Sequence, residues 1–402
     1  MNDRLNPLCQ RTGGISFISA IILMFYYHLK MQTMFKLFKK KTYEKTILTQ
    51  FVILVLSVCQ ASGQSDTFNV TEQKTDTPNR ILTLFDTDEP LEISMEFDLK
   101  HYMEKTAKTE IFDGLLTMLL SEADSMDRKI TMKYRGESRY LNCGNPPLEI
   151  TFKKPVYLDS DSGRVKKIKL VHQCQKGSLY EEYIKREYLV YKLYNVLTDT
   201  SFRVRMLKIN YIDTKKARKP FTLYGFFIEP KTILAGRTNT LVLKTKSLTQ
   251  RDMIPETIDR IAIFNYMIAN WDWSVPGQHN VDILKSSKYD VSGLGIPVPF
   301  DFDLAGVVGA DYAIPPPELE LENKRERLFA GICRTREVYQ KELLMFLSKK
   351  EQFYSVINEY PYLSKASKKD ITVLLDQFFG QIEKQRSLNA MIDLFMEKCK
   401  KL

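Results

Sequence analysis

The chain has 402 residues, 44% of them apolar and 27% charged, ordinary globular values that exclude a disordered or low-complexity protein. Its formal net charge is +10, but residues 1–63 carry eight Lys or Arg against two Asp or Glu, which leaves +4 for the remainder. That remainder is mixed with acids and shows no basic stripe with interleaved aromatics, so the charge argues against a nucleic-acid partner.

At the front, Lys36, Lys39, Lys40, Lys41 and Lys45 precede a twelve-residue, mostly apolar run, Ile47 to Val58, followed by Ala61-Ser62-Gly63. A basic head, an apolar middle and small residues at the end are the layout of a signal peptide. The run is shorter than the roughly 20 residues a membrane-spanning helix needs. Cleavage after Gly63 is expected, which makes residues 1–63 a targeting region, and the earlier apolar stretch Ile15 to Tyr27 points to a start at Met31 or Met34. Two alternatives stay open: a retained N-terminal anchor, the only membrane contact then expected, and lipidation at Cys59, although Val58 stands where a small side chain is wanted. The expected destination is outside the cytoplasm: periplasmic, cell-envelope or extracellular.

Export changes how the cysteines read, because an oxidising compartment favours disulfides. Cys143, Cys174, Cys333 and Cys399 remain after Gly63, and four cysteines allow three pairings. Cys143 precedes one predicted strand and Cys174 ends another, so a Cys143–Cys174 bridge is expected, with buried free thiols as the alternative. No CxxC or His/Cys cluster points to zinc.

Residues 64–80 are polar and read as a linker. Residues 81–155 alternate apolar and polar positions at Leu91 to Phe97, Lys129 to Tyr134 and Leu148 to Phe152; period two predicts half-buried strands and a small β-rich extension. Residues 156–250 predict a mixed β/α lobe: strands at Val165 to Val171, Leu207 to Ile212 and Leu223 to Glu229, with a helix from Leu179 to Leu197. Residues 251–402 predict a mostly helical lobe that begins with Pro255 to Asn270, where Pro suits the first helical position. It continues through Leu321 to Leu347 and Lys368 to Lys398, whose apolar residues recur at helical spacing. The expected class is α+β, with two lobes behind a β-rich extension.

Three segments carry chemistry. In the predicted helix, Tyr180, Ile184, Glu187, Tyr191 and Tyr194 share one face, so Glu187 sits on an apolar stripe and needs a cation or strong donors. The strand before it offers Lys169, though Lys166 and Lys167 are near and parity does not separate Lys167 from Lys169. Next, Asn270-Trp-Asp-Trp-Ser-Val-Pro-Gly-Gln-His-Asn280 follows a helix as a structured loop, with Asp272 near its start, Asn280 at its end and His279 beside it. Finally, Asp301 and Asp303 in Pro-Phe-Asp-Phe-Asp lie on one face of an extended segment, and such close carboxylates repel unless a cation joins them. A bland alternative exists for each: Glu187 reaching solvent, His279 as a structural residue, and the aspartates as turn caps. A hydrolase using Asp272, Asp301 and Asp303 as acid and base is a further reading.

Strand lysine, helix glutamate, Asp-loop-Asn and strand Asp follow the order of a bilobal kinase, but a glycine-rich phosphate loop is missing, Gly163 being the only glycine shortly before Lys169. At Asn270-Trp-Asp-Trp through His279-Asn280 and at Pro299-Phe-Asp-Phe-Asp303 the chain resembles the CotH-like branch of atypical secreted kinases. It also resembles an uncharacterised exported bacterial family at Arg135-Gly, Cys143-Gly-Asn-Pro-Pro-Leu148, Lys169-Leu-Val, Cys174, Glu187-Tyr-Leu-Val-Tyr191, Ser201-Phe-Arg-Val-Arg205 and Phe227-Ile-Glu229. The resemblance implies a two-lobed kinase-like fold that uses ATP with Mg²⁺ or Mn²⁺ on a secreted or envelope protein substrate. It implies Lys169 and Glu187 as the phosphate-holding pair, Asp272 as base, Asn280 and Asp301 as metal ligands with Asp303 beside them, and Glu229 as a cofactor-binding residue near the strand that links the lobes. The eight-residue step from Asp272 to Asn280 is longer than in the kinase catalytic loop. A kinase-shaped binding module without activity is the alternative function.

Overall fold

The computed structural model describes residues 81–401 apart from 106–107, 159–162, 245–246 and 287–292. The expected targeting region 1–63 and linker 64–80 lie outside the described residues. Among the described residues, no helix is long and apolar enough to cross a membrane.

The class is α+β. Eight strands come first: β1 (Ile81–Leu82), β2 (Leu91–Phe97), β3 (Ile111–Ser121), β4 (Asp124–Tyr134), β5 (Leu148–Leu158), β6 (Arg164–His172), β7 (Val204–Asp213) and β8 (Phe221–Ile228). They form one sheet in the order β1-β5-β4-β3-β2-β7-β8-β6, and β6 pairs back onto β5. Seven strands therefore close into a barrel, with β1 added in parallel to the outside of β5. Within the barrel β2 and β7 run parallel, with Ile93 opposite Ile209; the other neighbours are antiparallel.

Closure corrects the expected division at residue 155. Strands β2–β5 of the supposed extension and β6–β8 of the supposed lobe share a continuous hydrogen-bond ladder, because closing a sheet satisfies the edges that a separate module would leave open. The barrel encloses a core that includes Ile93, Phe97, Leu116, Ile130, Ile150, Leu170, Ile209 and Phe227. Helix α1 (Leu99–Glu104) contributes Tyr102, which stacks on Tyr134 while Phe112 meets it edge-on.

Strands β6–β8 are covered on both faces. Phe227 faces the barrel interior, whereas Phe226 and Ile228 join a second core with the helical part of the chain. This double burial explains the unbroken apolar run Phe226-Phe227-Ile228 where a half-buried strand would alternate. Gly225 sits where β6 and β8 pair; a Cβ there would fall 2.6 Å from the Val171 carbonyl oxygen.

The second core is built on α3 (Ser178–Asn195), α4 (Lys231–Arg237), α5 (Pro255–Met267), α6 (Arg336–Ser348), α7 (Lys350–Glu359), α8 (Lys365–Ile382) and α9 (Gln385–Lys398). A small antiparallel sheet lies beside α5: β9 (Leu241–Val242), β10 (Val281–Lys285) and β11 (Gly295–Pro299). The expected helical stretch from Leu321 is helical only from Arg336. Its first part is an irregular, turn-containing segment tied down by charges that bind carbonyl groups: Lys324 Nζ donates to Gly309 and Ala310, and Arg327 donates to Met267 and Leu374. Two disulfides bind the fold, the expected Cys143–Cys174 and a second between Cys333 and Cys399. Both fit an oxidising environment.

Candidate functional site

Helix α3 carries Glu187 with its face buried as the spacing requires: Ile184, Glu187, Tyr191 and Tyr194 are all inside. The strand pairing of β10 with β11 sets Val281 opposite Pro299, and the Phe300 amide donates to the Asn280 carbonyl at 2.9 Å. Asn280, which opens the hairpin, is thereby brought beside Asp301, which leaves it. Phe302 is buried against Tyr191 and Phe264, with ring centroids 4.9 and 6.0 Å away. That anchor holds Asp301 and Asp303 toward α3, although Asp301 has φ 63 and so is not the extended residue the alternation predicted. A positive φ is uncommon outside glycine. The Asp301 amide donates to the Tyr191 hydroxyl at 2.8 Å.

The result is an acidic triad. Oxygens of Glu187, Asp301 and Asp303 all lie within 4.8 Å of one another, and Glu187 and Asp303 are 1% and 6% exposed. Its cation is Arg139, in the short helix α2 (Ser138–Asn142). Arg139 Nη2 is 2.5 Å from Glu187 Oε2 and 4.0 Å from Asp301 Oδ1, and Nε is 2.7 Å from Asp303 Oδ2. Arg135, at the end of β4, stands 3.9 Å from the other oxygen of Asp301. The opposite oxygen of Glu187, Oε1, is buried without a hydrogen-bond partner.

Burial pushes the Glu187 and Asp303 carboxyls up, with Arg139 pulling against it. At Asp301 burial acts the same way, but Arg135, Arg139 and Lys169 together outweigh it and hold that carboxyl below the usual range. Burial would also discharge Arg139, yet Asp303 and Glu187 raise it well above an ordinary arginine. The guanidinium is thus a permanent charge inside the triad. Three hard oxygen donors of this kind suit Mg²⁺ or Mn²⁺, and the partnerless Oε1 is consistent with a further cation at the same place.

The expected Lys169–Glu187 pair is not formed. Lys169 reaches Asp282 at 3.9 Å and lies over the Phe300 ring, 4.0 Å from its centroid, while Glu187 takes Arg139. The structure does separate the neighbouring lysines: Lys167 pairs with Glu149 at 3.0 Å on the exposed side of the barrel, and Lys169 turns to the loop that carries Asp301. Burial around its ammonium, then the Arg135 charge, push Lys169 down to about 8, though a third of its side chain still reaches solvent.

The loop after α5 forms a second cluster. Asp272 Oδ1 is 2.6 Å from His279 Nε2, and its Oδ2 accepts from Asn280 Nδ2 at 2.9 Å. Main-chain bonds between Ser274 and His279, 3.0 Å each way, close the intervening turn on Gly277 at φ 76. Asp272 and His279 are close enough to act electrostatically on Asp303 and Asp301 respectively.

Glu229 is not gathered into this site. Its two oxygens are held by Arg237 at 2.7 and 3.0 Å, and the Arg203 amide also donates to it at 3.0 Å. The carboxylate is 2% exposed and joins the end of β8 to α4, so its assignment as a cofactor-binding residue is replaced by a structural one.

Arg139 is the site residue that sequence reasoning missed. One signal was present: Arg139 stands four residues before Cys143, and Cys174 stands thirteen before Glu187, so the expected bridge ties the two segments together at the start of α3. No protein-family model matches this chain, and no curated protein matches it.

Proposed function

We propose that this is an exported kinase-like protein that binds a nucleotide with a divalent ion and transfers phosphate to a secreted or envelope protein. The observation that carries the reading is the convergence of Glu187, Asp301 and Asp303 within 4.8 Å, supplied by a helix and by the end of a hairpin in the order of a bilobal kinase. In this reading the barrel with α3 stands for the smaller lobe and the helices from α5 onward for the larger, in the manner of the CotH-like branch. Glu187, Asp301 and Asp303 would hold the ion, which would screen phosphate charge when bound. Lys169 would hold phosphate oxygens. Asp272, oriented by His279 and Asn280, would accept the proton of the attacking hydroxyl.

The test measures Mn²⁺-dependent thermal shift with a non-hydrolysable ATP analogue, followed by transfer of labelled phosphate. Binding that requires metal and disappears in Asp301→Ala, with transfer lost in Asp272→Ala, is the expected result. A protein indifferent to metal and to every nucleotide refutes it. One observation favours a second reading, a binding module without catalysis: Arg139 already bonds one oxygen each of Glu187 and Asp303, and Lys169 is not paired to Glu187. Equal labelled transfer by the native protein and Asp272→Ala would favour the module.

A further inference from the structure

The guanidinium of Arg139 stands where the three carboxylates converge. Its Nη2 lies between Glu187 and Asp301, and its Nε bonds Asp303. One planar fork thus spans the whole triad, a geometry that a lysine's point charge cannot reproduce. Arg139 is 6% exposed, and its position is set from both sides. Helix α2 follows directly on β4 after Gly136 at φ 71, and it ends at Cys143, whose bridge to Cys174 fastens it to the segment leading into α3. The Cys143 amide donates to the Arg139 carbonyl at 2.9 Å, and Lys105 Nζ donates to the Tyr140 and Cys143 carbonyls.

We infer that Arg139 is a built-in counter-ion that competes with a divalent cation for Glu187, Asp301 and Asp303, so that it sets the affinity of this site for metal. The inference rests on the metal reading above and adds the residue that tunes it. The physical reason is that Glu187 Oε2 and Asp303 Oδ2, which accept short charged hydrogen bonds from Arg139, have less charge to offer a metal, and that a divalent ion brought to the same carboxylates is repelled by the fixed guanidinium charge. With Arg139 in place one of the three negative charges is offset, and Glu187 and Asp303 each commit an oxygen to a short guanidinium bond that an incoming ion must weaken. Removing the fork leaves three carboxylates around one point, and a divalent ion is then the group that relieves their repulsion.

The experiment uses the full exported chain and Mn²⁺ alone, with binding read by electron paramagnetic resonance of free Mn²⁺ and, independently, by the Mn²⁺-induced rise in Tm. Arg139→Gln removes the charge. Arg139→Lys keeps a charge but not the fork, and serves if the first variant does not fold without metal. Mn²⁺ affinity is expected to rise at least tenfold in Arg139→Gln and by a smaller factor in Arg139→Lys, and the gain is expected to vanish when Asp301→Asn is added. If native protein binds Mn²⁺ through Asp301 and both variants bind it equally or more weakly, the competition is overturned while the metal reading stands. If neither native protein nor either variant binds Mn²⁺, both fail. Binding by the variants alone, dependent on Asp301, supports the competition.

Discussion

The side-chain amide of Asn280 donates to two oxygens of Asp272, the main-chain carbonyl and Oδ2, each at 2.9 Å. A residue eight positions downstream therefore orients the loop carboxylate, while its own backbone sits at φ 52, a conformation asparagine tolerates better than most residues. Asn280→Ala loses both bonds and adds left-handed strain, and its stability is expected to fall by about 1–3 kcal/mol. Urea denaturation compared with Asn280→Gly, which keeps the backbone freedom, separates the two costs; a native-like midpoint in both variants would show that the contact does no stabilising.

His172 carries the clearest pH dependence. It is fully buried, with Nε2 2.7 Å from the Pro146 carbonyl and Nδ1 2.7 Å from the Tyr211 hydroxyl, so the neutral ring donates at one nitrogen and accepts at the other. Burial, helped by Arg139, pushes it down to about 4 despite the Pro146 bond. Between that value and the ordinary histidine range the unfolded chain binds the extra proton, so stability rises with pH across this window and is lost as pH falls through it. The expected loss is about 2 kcal/mol between neutrality and pH 5. Imidazole resonances followed by NMR should show one ring still neutral near pH 5; titration of every histidine near pH 6.5 contradicts the account.

The bridge Cys143–Cys174 closes 31 residues and Cys333–Cys399 closes 66. On the chain-entropy scale each contributes about 4 kcal/mol, the longer loop slightly more. Full reduction is expected to lower Tm markedly, and Cys143→Ser with Cys174→Ser to account for about half of the loss. Thiol counting under denaturing conditions checks the state directly: Cys143, Cys174, Cys333 and Cys399 all reactive without reductant would rule the bridges out.

Buried Glu229 and half-buried Arg237 form a pair away from the triad. Glu229→Gln leaves the guanidinium without its charge partner and is expected to cost about 3 kcal/mol in stability, with Mn²⁺ and nucleotide binding unchanged. Calorimetry beside a binding titration tests this, and a lost nucleotide affinity at native stability would return Glu229 to the site.

How much of this was legible follows from how local each signal is. Leu91–Phe97 was readable to the residue because one face is buried and the other exposed, so the period-two pattern survives in the sequence. Strand β3 was not read: its apolar residues Leu115 and Leu116, then Met118, Leu119 and Leu120, run nearly together, and its alternation is blurred by exposed Ile111 and Leu119. The helix face that buries Glu187 was legible from three- and four-residue spacing, and so was the need for a cation there. Which cation was not: Lys169 is the nearer strand residue, but Arg139, forty-eight positions away, is carried in by a bridge and a short helix.

The sequence by itself determined the two kinds of secondary structure, the Asp and Asn placements that bracket the hairpin, and the cysteines able to pair. Tertiary structure alone decided that β5 and β6 close the sheet into a barrel, that Glu229 is locked to Arg237, and that Arg139 fills the acidic triad. Periodicity reports which side of an element meets solvent. The identity of the partner across a buried contact is fixed by strand register and chain closure, which bring together groups that no local pattern links.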